Sequence, residues 1–159
     1  CDYKSFDLAV NMLGVAGVQI YSMFEPGLSD PYRWTKLTSI MDHWTPENKS
    51  QNYPRYTASD PNKNIRSSDK WIHDGGYFRF QNIILGYTLP SKWSGKIGLS
   101  RLRAFVNMQN IYTITNYPFL DPEVIGSNSD GATVDTASGV DVGSAPTPRT
   151  TMFGLNINF

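Results

Sequence analysis

The stretch that most constrains this chain is Phe153–Phe159, in which Phe153, Leu155, Ile157 and Phe159 alternate with Gly154, Asn156 and Asn158. A period of two places successive side chains on opposite sides of an extended ribbon, so this is a strand with one wholly apolar face. In a sandwich in water the other face would carry Lys, Glu or Thr. Here it carries uncharged amides, which suit a wet but crowded interior. The last residue is Phe, with no polar tail after it.

Three more segments show the same logic. Leu102–Thr113 sets Leu102, Ala104, Val106 and Met108 against Arg103, Phe105, Asn107 and Gln109. It slightly exceeds the ~9–11 residues that carry a tilted strand across a bilayer. Tyr77–Thr88 changes phase, with Phe78 and Phe80 on one parity and Ile83, Leu85 and Tyr87 on the other. A bulge near Asn82, or a rim above the bilayer, accounts for the switch. Tyr3–Leu13 places Phe6, Leu8, Val10 and Met12 opposite Ser5, Asp7 and Asn11. Asp7 is tolerable in a barrel lumen and costly against lipid. The connections alternate: Gly14–Gly76 is long, Ser91–Ser100 short and Thr115–Pro148 long. Barrels in the outer membrane keep short turns on the periplasmic side and long loops outside. The directions are read with Tyr3–Leu13 running inward and the final strand outward.

Composition narrows the classes. Among 159 residues, 14 Lys and Arg balance 14 Asp and Glu, which gives no footprint for nucleic acid. Charged residues reach 18%, below the ~25% of ordinary soluble domains. Aromatics reach 13% in a chain of mean hydropathy −0.37. That combination suits a surface meeting lipid headgroups or sugars. It also suits a soluble β-rich glycan-binding domain, the alternative reading. The one cysteine, Cys1, excludes an intrachain disulfide. A lipid anchor on Cys1 is disfavoured because Asp2–Phe6 already reads as strand rather than as tether. No basic start leads into an apolar run, and no segment approaches the ~20 apolar residues of a membrane helix.

The first long connection offers one helix. Asp30 can cap it, Pro31 suits its first turn, and Trp34, Leu37, Met41 and Trp44 recur at spacings of three and four. Little here speaks of catalysis. His43 and His73 do not stand at metal-ligand spacing, and no Cys pair exists. Asp121 and Glu123 flank Pro122 in a loop, where straddling a sugar as an acid–base pair would be accidental. Asp60, Asp69, Asp74, Asp130, Asp135 and Asp141 show no EF-hand spacing. No enzyme, metal or cofactor is expected.

Ordered blocks then resemble a known family. They are Trp44-Thr45-Pro46-Glu47-Asn48 with Pro54-Arg55; Ser68-Asp69-Lys70-Trp71 leading into Tyr77–Pro90; Leu102–Asn110; Asp121-Pro122-Glu123; and Pro146–Thr150 before Gly154–Phe159. Together they resemble the C-terminal end of the SusC/RagA family of TonB-linked outer-membrane transporters from Bacteroidetes. One departure is Ala145, where the family more often has an aromatic residue. The resemblance implies an all-β fold, the last four or so antiparallel strands of a barrel of about 22, with long extracellular loops, one carrying a short helix. Residues 1–159 would then be a fragment of a longer chain, because about eight strands is the smallest barrel. It also implies import of oligosaccharides or peptides, a SusD-like surface lipoprotein as lid, energy from TonB through a plug region absent here, and outer-membrane lipid around the wall. On that reading Arg79, Gln81, Asn107, Gln109, Asn156 and Asn158 face the lumen, and Leu102, Val106, Phe153, Leu155, Ile157 and Phe159 face lipid. Trp34, Trp71, Tyr117 and Phe119 are candidates for contact with substrate or lid, because sugar C–H faces pack well on aromatic rings.

Overall fold

A computed structural model describes residues 1–30, 35–57, 59–124, 138–143 and 145–159. The chain divides into two compact units that interleave in sequence.

The first unit takes in Cys1–Gly17, Gly76–Tyr117 and Pro146–Phe159. It is an antiparallel sheet of β1 (Asp2–Tyr3), β2 (Phe6–Val15), β5 (Tyr77–Thr88), β6 (Arg101–Thr115) and β8 (Thr150–Asn158), in that order. Two features depart from the sequence reading. The expected strand Tyr3–Leu13 is broken, because Lys4 adopts φ 54° and turns β1 back onto β2, pairing Tyr3 with Phe6. The strand directions are also the reverse of those read above. β2 and β6 end at Val15 and Thr115, where the two long connections leave, so both run toward the long-loop side, and β5 and β8 run back.

The expected bulge is present, and it widens across the sheet. Asn11 pairs with Asn82 and Met12 with Phe80, so β5 carries one extra residue, Gln81. Asn82 in turn pairs with Gln109 and Phe80 with Tyr112, so β6 carries two, Asn110 and Ile111. Asn110 takes φ 52° to do so, a conformation that Asn tolerates better than most residues. The bulge returns Phe78 and Phe80 to the same side as Ile83, Leu85 and Tyr87. Residues paired across strands share a face. One face therefore holds Phe6, Leu8, Val10, Leu85, Val106 and Leu155, and the other Asp7, Arg103, Asn107 and Asn156. The apolar face is uncovered: Phe153 is 83% exposed, Leu155 65% and Ile157 46%.

The short connection is a folded cap. It holds α2 (Ser91–Ser94) and a 3-10 turn at Gly95–Ile97, closed by Gly98 at φ 74°. That left-handed geometry suits glycine.

The second unit takes in Val18–Gly75 and Pro118–Ala145. Its small sheet has the order β4 (Ile72–Asp74), β3 (Gln19–Ser22), β7 (Val140–Asp141), with β3 antiparallel to β4 and parallel to β7. Because β7 comes from the second long connection, the two connections fold together. The helix expected from Asp30 to Trp44 does not form as such. Pro31–Trp34 lie outside the described residues, Leu37 is extended at φ −70°, ψ 141°, and only a 3-10 turn, Thr38–Met41, follows. Within the proposed stripe Met41 is 75% exposed and Trp44 36%, while Ile40, just before Met41, is buried instead. A short helix gains most of its stability from packing such a stripe, and here Met41 and Trp44 stay exposed. Among the described residues the α-helix of this connection is α1 (Glu25–Leu28), with Pro26 in its first turn.

Candidate functional site

The polar face of the larger sheet is built around two glycines. Arg103 reaches diagonally across β5 to Asp7, donating from Nε to Oδ1 at 2.9 Å and from Nη2 to Oδ2. Gly86 lies beneath the pair, and a Cβ there would strike both the carboxylate and the guanidinium. Two strands along, the Phe105 ring lies over Gly154, where a Cβ would collide with ring carbons. Farther up the same face, Arg79 is buried. Its Nε donates to Thr113 Oγ1 at 2.9 Å, and its guanidinium lies 5.2 Å from the Tyr77 ring centroid.

Of the six polar positions singled out above, Arg79, Asn107, Gln109, Asn156 and Asn158 share this face. Gln81 is the bulge residue and has no register partner. Leu102, Val106, Phe153, Leu155 and Ile157 share the opposite face, and Phe159 follows β8 at 94% exposure. The bridge between Asp7 and Arg103, 96 residues apart, was invisible in sequence; the only signal was an acid within an otherwise suitable membrane strand.

Aromatic side chains border the apolar face at both ends. Phe6 and Tyr87 pack with centroids 4.8 Å apart near the short-turn end, and Phe78 and Phe80 meet edge-on at 5.5 Å near the long loops. From Phe78 to Tyr87 the strand rises eight regular steps once the bulge residue is discounted, or ~26 Å at ~3.3 Å per residue. A strand tilted by ~40° spans ~20 Å in that length, close to the ~25 Å apolar band of outer-membrane barrels.

The aromatic candidates in the long connections fare differently. Trp34 lies outside the described residues. Trp71 is 1% exposed, and its indole N–H donates to the Arg66 carbonyl at 3.0 Å. Tyr117 is 4% exposed. Neither ring offers a free face, so both are corrected from contact residues to packing residues. Phe119 is half-buried, edge-on to Phe24 at 4.7 Å and to His73 at 5.5 Å. Beside it, His73 Nε2 lies 2.6 Å from Oε2 of the buried Glu25. The more open rings of this unit are Tyr56 and Trp44, which the spacing argument had given to a helix or passed over.

The block around Trp44-Thr45-Pro46-Glu47-Asn48 closes on Asp42. Its carboxylate accepts from Asn48 Nδ2 at 3.0 Å, Asn52 Nδ2 at 2.7 Å and Ser50 Oγ at 2.9 Å, and these donors hold its pKa below the usual carboxylate value, Asn48 foremost. Asp60 is held down likewise, chiefly by the Asn64 amide at 2.8 Å. Lys70 sits 4.4 Å over the Tyr53 ring and 4.9 Å over Trp71, and loss of water around its ammonium lowers its pKa. Among the described residues no three His, Cys, Asp or Glu side chains gather as a metal site, and no helix is long and apolar enough to cross a membrane.

No family model matches the chain. Curated proteins do. TonB-dependent receptor P3 of Formosa agariphila is 33% identical over 99% of the chain, and TonB-dependent receptor P26 of the same organism is 28% identical over 99%. TonB-dependent receptor SusC of Bacteroides thetaiotaomicron is 32% identical over 58%. The chain spans 15% and 16% of the length of the two Formosa proteins and 8% of SusC. Among solved structures, the RagAB peptide transporter matches 99% of the chain and 16% of its own at a TM-score of 0.77 and 19% identity, and an open-open RagAB peptide importer does so at 0.77 and 18%. At that identity the likeness speaks for the fold, a TonB-dependent receptor barrel. The relatives are receptors and transporters, not enzymes. With two TonB-dependent receptors matching it over 99% and SusC over 58%, the chain belongs to the SusC/RagA type of TonB-dependent receptors.

Proposed function

We propose that these residues form a section of the wall and outer loops of a TonB-dependent importer in the outer membrane. The apolar face of β2, β5, β6 and β8 meets lipid, and the Asp7–Arg103 face lines the lumen. The second unit stands outside the cell, since long barrel loops lie there. The supporting observation is an extended sheet whose one face is apolar and uncovered while its other face holds a bridged acid and base. On this reading the cargo is an oligosaccharide or a peptide and a SusD-like lipoprotein is the lid; the fold shared with the RagAB peptide importer supports the peptide arm. The chain carries no bond-breaking step on this reading. Exposed loop rings such as Tyr56 and Trp44 replace Trp71 and Tyr117 as contact candidates.

The test uses the complete receptor in its own membrane. Met108→Arg places a charge on the apolar face, midway between the two aromatic borders, and Gln109→Arg places one on the polar face of the same strand. A lipid-facing Arg costs ~2–4 kcal/mol near the midplane and a lumenal one far less. The folded, heat-modifiable receptor should fall sharply for Met108→Arg and hold for Gln109→Arg. Equal losses would contradict the assignment of faces. Growth of a deletion strain on defined carbohydrates or peptides identifies the cargo class.

A further inference from the structure

The short-turn end of the sheet carries chemistry that the wall does not use. Thr88–Arg103 contains Lys92, Lys96, Arg101 and Arg103 and no acid, in a chain whose charges cancel only when these four are counted. Arg103 is bridged to Asp7, and Arg101 lies opposite Asn158 on the polar face. That leaves Lys92 and Lys96, both exposed. Between them in sequence stands Trp93, 66% exposed, with Lys96 Nζ 5.9 Å from its ring centroid. The turn that presents them is held in shape. Ser94 is 1% exposed, its carbonyl accepts from the Leu99 N–H at 3.0 Å, and the Trp93 N–H donates to the Pro90 carbonyl at 2.8 Å. The Thr88 N–H donates to the Ser5 carbonyl at 2.7 Å, which brings the Lys4–Ser5 turn to the same end. There Tyr3 is 68% exposed, with Lys4 5.3 Å over its ring.

We propose that this end is a headgroup anchor for anionic phospholipid in the leaflet on the short-turn side, a site that rests on the wall reading above. The indole, apolar in its body and polar at its N–H, sits at the boundary of acyl chains and headgroups. Lys92 and Lys96 lay their stems along that boundary and hold the lipid phosphate with their ammonium groups. A rigid turn with two cations and one large exposed ring fits a phosphodiester with acyl chains beneath it better than it fits a soluble anion, which has no use for the ring.

The complete receptor in detergent, with folding verified by heat-modifiable mobility, tests this by native mass spectrometry against phosphatidylglycerol and phosphatidylethanolamine. Phosphatidylglycerol should be retained preferentially. Lys92→Gln and Lys96→Gln should each weaken that preference about fivefold, from the ~1 kcal/mol per cation near an anionic surface. Trp93→Ala should weaken retention of both lipids, and Lys49→Gln in the long loop should change nothing. Equal retention of the two lipids by the unaltered receptor overturns the anchor, as does a preference that survives the double Lys variant. Displacement of phosphatidylglycerol by an equal concentration of inorganic phosphate overturns it too, since a soluble anion would then suffice. A receptor that never enters membranes defeats the wall reading itself, whereas an inserted receptor without lipid preference defeats only the anchor.

Discussion

Gly154 offers a sharp test of how the polar face is packed. An added Cβ at this position runs into the Phe105 ring on the neighbouring strand. The obstacle is the far side of a rigid ring, so relief requires a change of rotamer or a shift of β8. Overpacking of this kind costs ~1–3 kcal/mol. Against it stands the gain from replacing glycine, ~0.4–1 kcal/mol through the unfolded chain. Gly154→Ala should therefore destabilise the receptor by a net of up to ~2.6 kcal/mol, from those two terms. A double-mutant cycle with Phe105→Ala isolates the clash. Without the ring the three nearest obstacles are gone, so the same glycine change should become neutral or slightly stabilising. Equilibrium unfolding in denaturant of the complete receptor in lipid, followed by heat-modifiable mobility, measures all four corners. A cost that is the same in both backgrounds would show that the ring and the glycine are not coupled and would refute the packing argument.

Two further expectations follow from local geometry. Asn110→Val should cost ~1–2 kcal/mol, because a β-branched side chain resists φ 52°, whereas Asn110→Gly should be tolerated; the same unfolding assay separates them. The loop closed on Asp42 should loosen in acid. Its folded pKa is lowered by Asn48, Asn52 and Ser50, so its contribution is fully present above the ordinary carboxylate value and is lost as pH falls through the lowered one. Proteolysis of the loop should thus accelerate only below about pH 4, and Asn48→Ala should move the onset upward; an onset near neutrality would contradict the assignment.

The strand faces were legible because they depend on local alternation. Leu102–Thr113 and Phe153–Phe159 could be divided by parity alone, and the phase change in Tyr77–Thr88 pointed to the bulge at Gln81. The tight turn at Lys4 escaped because neither Lys4 nor Ser5 is a typical residue for positive φ, and the alternation on either side runs on as if unbroken. The loop helix was misread because spacing reports periodicity but not whether a surface exists to receive the stripe. Trp71 and Tyr117 looked like ligand rings because composition says nothing of burial. The parallel pairing of Tyr21 with Val140 arises from a contact between connections far apart in sequence. The same holds for Arg103, whose partner belongs to a strand two places away in the sheet.

The most direct measurement is of what surrounds each side of β8. Spin labels are placed one at a time at residues 153 to 158 of the complete receptor, with other cysteines removed, and each is exposed to oxygen, which dissolves in bilayers, and to a polar nickel chelate. The account predicts a strict alternation: oxygen relaxes labels at Phe153, Leu155 and Ile157, and the chelate relaxes those at Gly154, Asn156 and Asn158. Labels at Phe153, Leu155 and Ile157 that are shielded from oxygen, or reached equally by the chelate, would contradict it.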